Sequence, residues 1–168
     1  MLNKLSITIH NVVRLFSWLG ALAASATVIV IIINILGRFL FKSPLHGTIE
    51  LVELMTVLVV YSVLPYTELY KRHVHVELLV SQFSGRVKDY IAAIMSFAGT
   101  VFFLVMSWQA AKLAWENISP TVRETDTLSI PFAPFVFMIA IGSLLLGLEM
   151  LLRGLQSLSK EKVREERS

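Results

Sequence analysis

The chain has 168 residues, 55% of them hydrophobic and only 16% charged, with a mean hydropathy of +0.70. A soluble domain carries roughly 25% charge, and a chain this short has too little interior to hide so much apolar surface. The absence of cysteine excludes a disulfide scaffold, an iron–sulfur cluster and a thiolate zinc site, and the net charge of +3 lies between and beyond apolar runs, with no basic stripe to suit nucleic acid.

In chain order, Leu2, Leu5, Ile9, Val12, Val13 and Phe16 recur at helical spacing, with Asn3, Lys4, Thr8, Asn11 and Arg14 between them. This predicts a short amphipathic helix lying in the membrane interface or packing on a partner. Leu15 to Gly37 comes next, 23 charge-free residues between Arg14 and Arg38. At about 1.5 Å per residue it reaches about 35 Å, enough for a hydrocarbon core of about 30 Å. Ala24-Ser25-Ala26 has the form of a cleavage triplet, but the most apolar stretch, Val28 to Ile33, comes after it. The expectation is an uncleaved anchor.

The second run, Leu54 to Thr67, has only 14 charge-free residues, but its apolar flanks extend it to residues 49–70, with Glu50, Glu53 and Glu68 at the rims. Carboxylates at a rim can be solvated or paired. Tyr90 to Ala111 gives 22 residues between Asp89 and Lys112, and Thr127 to Leu148 gives 22 between Asp126 and Glu149, a span taken to about residue 150. Pro131 and Pro134 are expected in the first turns of that last helix, where a missing N–H costs little. The mixed charges of residues 157–168 form a solvated cytoplasmic tail. Continuous apolar runs predict helices, since lipid offers no partner to exposed backbone, whereas a barrel strand would alternate. The predicted fold is a single all-α integral membrane domain over residues 1–168, with four transmembrane helices.

Lysine and arginine counts set the orientation. The two termini and the second loop together hold 11, the first and third loops 4. Both termini are therefore expected in the cytoplasm.

No Asp, Glu, Lys, Arg or His lies in the middle of any run, which leaves nothing for a proton relay or ion site. The mid-span polar residues Tyr61, Ser62, Ser96, Thr100 and Ser107 are expected to bond neighbouring helices. His73, His75 and Glu77 are the one cluster suggestive of metal. On a helix His73 and Glu77 share a face while His75 turns away, and no nearby His or Cys completes a site, so the reading is structural or interfacial. No local signature assembles a catalytic site, and no catalytic, substrate-binding or metal residue is assigned. The second span is more informative. At about 100° per residue Glu50 and Glu68 fall at the same angle, Tyr61 about 20° away, and Glu53 and Pro65 about 60° to either side. This stripe is expected to be covered by the other helices or by a second protein. Within it Glu50 is expected to pair with a basic group at its rim, either Arg38 or a residue of a partner. Arg38, Glu50, Glu53, Tyr61, Glu68 and His73 are thus the candidate interface or structural residues.

Four segments in order resemble the small membrane subunit, DctQ-like, of tripartite ATP-independent periplasmic (TRAP) transporters. They are Asn34-Ile35-Leu36-Gly37-Arg38, Gly47-Thr48-Ile49-Glu50-Leu51, Arg72-His73-Val74-His75-Val76-Glu77 and Thr127-Leu128-Ser129-Ile130-Pro131. The third is similar to a His-Val-x-Val-Asp pattern, with Glu77 in place of the usual Asp. The resemblance covers about residues 15–155. It implies a non-enzymatic scaffold in the bacterial or archaeal inner membrane, partnered by a large permease subunit and a periplasmic substrate-binding protein. It further implies symport of an organic acid such as a C4-dicarboxylate or sialic acid, with no cofactor in this subunit and sodium held by the large one. Two alternatives from the residues alone are a small multidrug-exporter-like transporter, which would want a carboxylate in the first span, and an anchor subunit of a redox complex, which would want intramembrane histidine. This chain offers neither feature.

Overall fold

A computed structural model describes residues 2–70, 85–118 and 122–165. Four helices account for most of them: α1 (Leu2–Phe41), α2 (Thr48–Tyr70), α3 (Gly85–Glu116) and α4 (Ala133–Glu165). All four are long and apolar enough to cross a membrane. The protein is an all-α membrane protein, as the run lengths predict.

The helix ends refine the expectation in two places. The N-terminal amphipathic segment is helical but not separate: it continues unbroken into the first span, making α1 a 40-residue rod of about 60 Å. No glycine or proline stands between Leu2 and Phe16 to break it. The last helix begins at Ala133, six residues after Thr127, because residues 123–132 form a tight hairpin instead. Pro134 sits in the first turn as expected, while Pro131 lies outside the helix, bridged to Glu124.

The helices form a row in the order α1, α2, α4, α3. α3 packs along α4, α1 along α2, and α2 along α4, with only a light touch between α1 and α4. Without a hydrophobic force between helices in lipid, close packing must hold such a row together, and small residues supply it. A Cβ added at Gly20 would come within 2.7 Å of Val63 Cγ2 on α2, and one at Gly142 would run into the Tyr61 carbonyl oxygen. These contacts set the register: α1 runs antiparallel to α2, and α4 parallel to it. Ser107 on α3 donates its hydroxyl hydrogen to the Ala140 carbonyl of α4 at 2.8 Å. Thr100 bonds its own helix, at Ser96 O. Ser62 is fully buried and its hydroxyl has no hydrogen-bond partner among the described residues, contrary to the expectation of an interhelical bond.

The row buries little of itself. Only 11% of the most apolar stretch of α1 is buried, against 44% for α4, so α4 is the core helix and α1 an outer one. Trp18, Leu22, Ile29 and Ile33, opposite Gly20 on α1, remain 49–65% exposed.

Candidate functional site

At one end of the row the two connections between helices interlock. The first runs from α1 to α2 through residues 42–47. It turns back at once: Lys42 takes a positive φ of 51°, and Ser43 N–H donates to Gly37 O at 3.3 Å. The side chain of Asn34, inside α1, accepts the N–H of Leu45 at 3.0 Å, tying the loop to the helix it has just left. Gly47 then opens α2 with φ +75°, a conformation side chains disfavour, and a Cβ there would also collide with the Leu128 side chain.

The second connection supplies Leu128. Thr125 N–H donates to Ile130 O at 3.0 Å, Phe132 N–H to Arg123 O at 3.0 Å, and Ile130 N–H to the Thr125 hydroxyl oxygen at 3.1 Å. The hairpin bends at Ser129, whose φ is 51°. Its tip presents two backbone N–H groups that the hairpin's own ladder does not use, those of Thr127 and Leu128. Both donate to the carboxylate of Glu50 on α2, at 2.7 and 3.0 Å, one to each oxygen. Irregular backbone near a bilayer must find its partners in protein, and an ionised acceptor makes the stronger kind of hydrogen bond. Glu50 therefore acts as a clasp: α2 holds the hairpin that leads into α4, and through Gly47 and Asn34 the same cluster holds α1.

The expected pairing of Glu50 with Arg38 is not formed. Arg38 is exposed and makes no ion pair among the described residues; both carboxylate oxygens of Glu50 accept hairpin amides instead. The rest of the stripe divides. Tyr61 and Glu68 are half-buried, Pro65 is buried, and Glu53 is exposed on the outer side of α2. The other helices thus cover part of the stripe, and Glu53 stays outside. His73, with His75 and Glu77, lies outside the described residues. Among the described residues no group of three His, Cys, Asp or Glu side chains is placed to hold a metal ion.

At the other end the structure adds a pair that run lengths hide. Glu149, the charged bound of the last apolar run in the sequence, is 1% exposed and lies inside the apolar segment Ala133–Leu152. Its Oε2 is 3.6 Å from Nε2 of His10 on α1. By the register set at Gly20 and Gly142, Arg14 of α1 and Glu68 of α2 fall at about the same level along the row. The signal in the sequence is the apolar Met150-Leu151-Leu152 beyond Glu149, which continues the run past its charge.

Four apolar helices with clasped connections define a multi-pass membrane component. A family model for the DctQ component of tripartite ATP-independent periplasmic transporters matches residues 27–160, and the chain belongs to that family. No curated protein sequence matches it. Three of the four segments that carry the resemblance meet in the clasp: Asn34 caps the first loop, Gly47 and Glu50 open α2, and Thr127 to Pro131 form the hairpin tip.

Proposed function

We propose that this chain is the scaffold subunit of a sodium-coupled uptake system for organic acids such as C4-dicarboxylates or sialic acid, and that it braces a large permease subunit without binding substrate itself. The observation that carries this reading is the family match over residues 27–160. The clasp supports it, because a scaffold needs helices that do not slide, and Glu50 ties the entry of α4 to α2 while Gly47 seats the entry of α2 against Leu128. The soluble partner is a periplasmic binding protein that delivers the substrate. This subunit needs no cofactor and does no covalent chemistry; sodium belongs to the large subunit. The 11-to-4 distribution of lysine and arginine supports cytoplasmic termini in an inner membrane, with the clasp facing the periplasm.

The test is reconstitution. The purified chain alone in vesicles with an inward sodium gradient is expected to take up no organic acid. The same vesicles with the large subunit and the binding protein are expected to accumulate it. Sodium-dependent uptake by the chain alone would overturn the scaffold reading.

A further inference from the structure

We propose that the outward ridge of α2, formed by Ile49, Glu53, Thr56, Val60 and Leu64, is where a transmembrane helix of the large permease subunit docks. That helix carries a lysine or arginine level with Glu53 and an apolar stripe below it. The inference rests on the scaffold-subunit reading above and names the face that meets the large subunit.

At about 100° per residue the five positions fall within one arc of about 80°. The neighbouring helices take the other directions: Val59 and Val63 meet Gly20 of α1, and Tyr61 meets Gly142 of α4. The ridge is consequently open, with Ile49 74%, Val60 42% and Leu64 36% exposed. Exposed apolar residues alone suit lipid. Thr56 suits it equally, since its hydroxyl is satisfied by Val52 O at 2.6 Å.

Glu53 is the residue that does not suit lipid. It lies five residues into the apolar segment Thr48–Glu68, its side chain is exposed, and it has no ion-pair or hydrogen-bond partner among the described residues. A carboxylate near the rim of a span is either solvated or paired, and a cation on a docked helix would pair with it beside the apolar stripe. A second copy of this chain would not, because a two-fold axis along the ridge would bring two Glu53 carboxylates together. The outer face of α1 contrasts with the ridge: Trp18, Leu22, Ile29 and Ile33 are exposed and no charged residue falls between Arg14 and Arg38, a surface suited to lipid.

The experiment uses the complete complex in membranes, with a photo-crosslinking amino acid placed at Val60 or Leu64 and, for comparison, at Ile29 or Ile33. Crosslinks to the large subunit are expected from Val60 and Leu64 and not from Ile29 or Ile33. In parallel, Glu53→Lys is expected to lower recovery of the large subunit with the tagged chain by about tenfold or more, and Glu53→Gln by less, since like charges across an interface repel. Crosslinks to the large subunit from Ile29 or Ile33 instead, crosslinks between two copies of this chain, or none from Val60 and Leu64 while the large subunit still co-purifies would each overturn the docking face and leave the scaffold reading standing. Equal recovery of Glu53→Lys and wild type would overturn the basic partner. If no large permease co-purifies with the wild-type chain, both readings fall.

Discussion

Glu50 and Leu128, 78 positions apart in the chain, are joined at 3.0 Å by a hydrogen bond from the Leu128 N–H to the Glu50 carboxylate, while the Leu128 side chain closes on Gly47. One residue of the second connection thus fixes the start of α2 by its backbone and by its side chain together. The carboxylate belongs to this subunit's own architecture, and Glu53, one turn on, is the acidic group left to face outward.

Replacing Glu50 by Gln keeps the shape but turns one acceptor into an amide NH2 that faces an N–H donor. Backbone hydrogen exchange at Thr127 and Leu128 is expected to accelerate by about tenfold, because an opening of the hairpin tip then breaks fewer bonds. Glu53→Gln, on the exposed side, should leave those two amides unchanged. Exchange measured by mass spectrometry in detergent decides it; unchanged protection in Glu50→Gln would remove the clasp.

Gly47→Ala combines two penalties. A side chain at φ +75° is disfavoured by about 1–2 kcal/mol, and its Cβ overlaps Leu128. Thermal unfolding in detergent should show a clear loss of stability. Adding Leu128→Ala to Gly47→Ala should recover part of the loss by removing the overlap. If the double variant is as unstable as the sum of the singles, the contact is not what matters.

His10→Ala should destabilise by about 1–2 kcal/mol. That is below the 3–5 kcal/mol typical of breaking a fully buried pair, because the His10 side chain is 39% exposed. Glu149→Leu, which removes the buried charge and fills its place with apolar volume, should cost less than Glu149→Ala. A double-mutant cycle of His10→Ala with Glu149→Leu should give a non-zero coupling; strict additivity would mean the two side chains do not interact.

The buried hydroxyls of Ser62 and Ser143, 0% and 1% exposed, have no hydrogen-bond partner among the described residues. Alanine at either position should be neutral or stabilising, since nothing is lost but the burial of a polar atom. Ser107→Ala breaks the bond to Ala140 O and should cost about 0.6 kcal/mol, the usual worth of an interhelical bond in a membrane. The reverse order of effects would contradict the packing described for α2 and α4.

The chain has no cysteine, so single cysteines can be introduced without background. A membrane-impermeant thiol reagent should label cysteines at Lys42 and Val122 from the same side, the periplasmic one, and a cysteine near either terminus only after the membrane is opened. Opposite sidedness of Lys42 and Val122 would break the four-helix topology.

The order of residues alone sets the number and class of the helices. Charge-free runs of 22 and 23 residues admit little else, because lipid forces an apolar segment of that length to satisfy its own backbone. The shorter run of 14 residues, extended by its apolar flanks to residues 49–70, sets the limits of α2 to within one residue. Matters of partner choice are not legible there. Run length cannot tell that Thr127 to Phe132 is hairpin and not helix, since Leu128, Ile130 and Phe132 are as apolar as the first turns of α4; hydrogen bonds to Thr125 and Glu50 decide it. Helical periodicity puts Glu50 on the inward face of α2 but cannot say whether Arg38 or the hairpin amides reach it. Nor can it separate Glu149 from a solvated rim charge, because burial of that carboxylate depends on His10, 139 positions earlier. Local chemistry fixes where a chain can cross the membrane. Which polar groups meet at the ends depends on how the helices are set side by side, a matter of long-range packing that no single run contains.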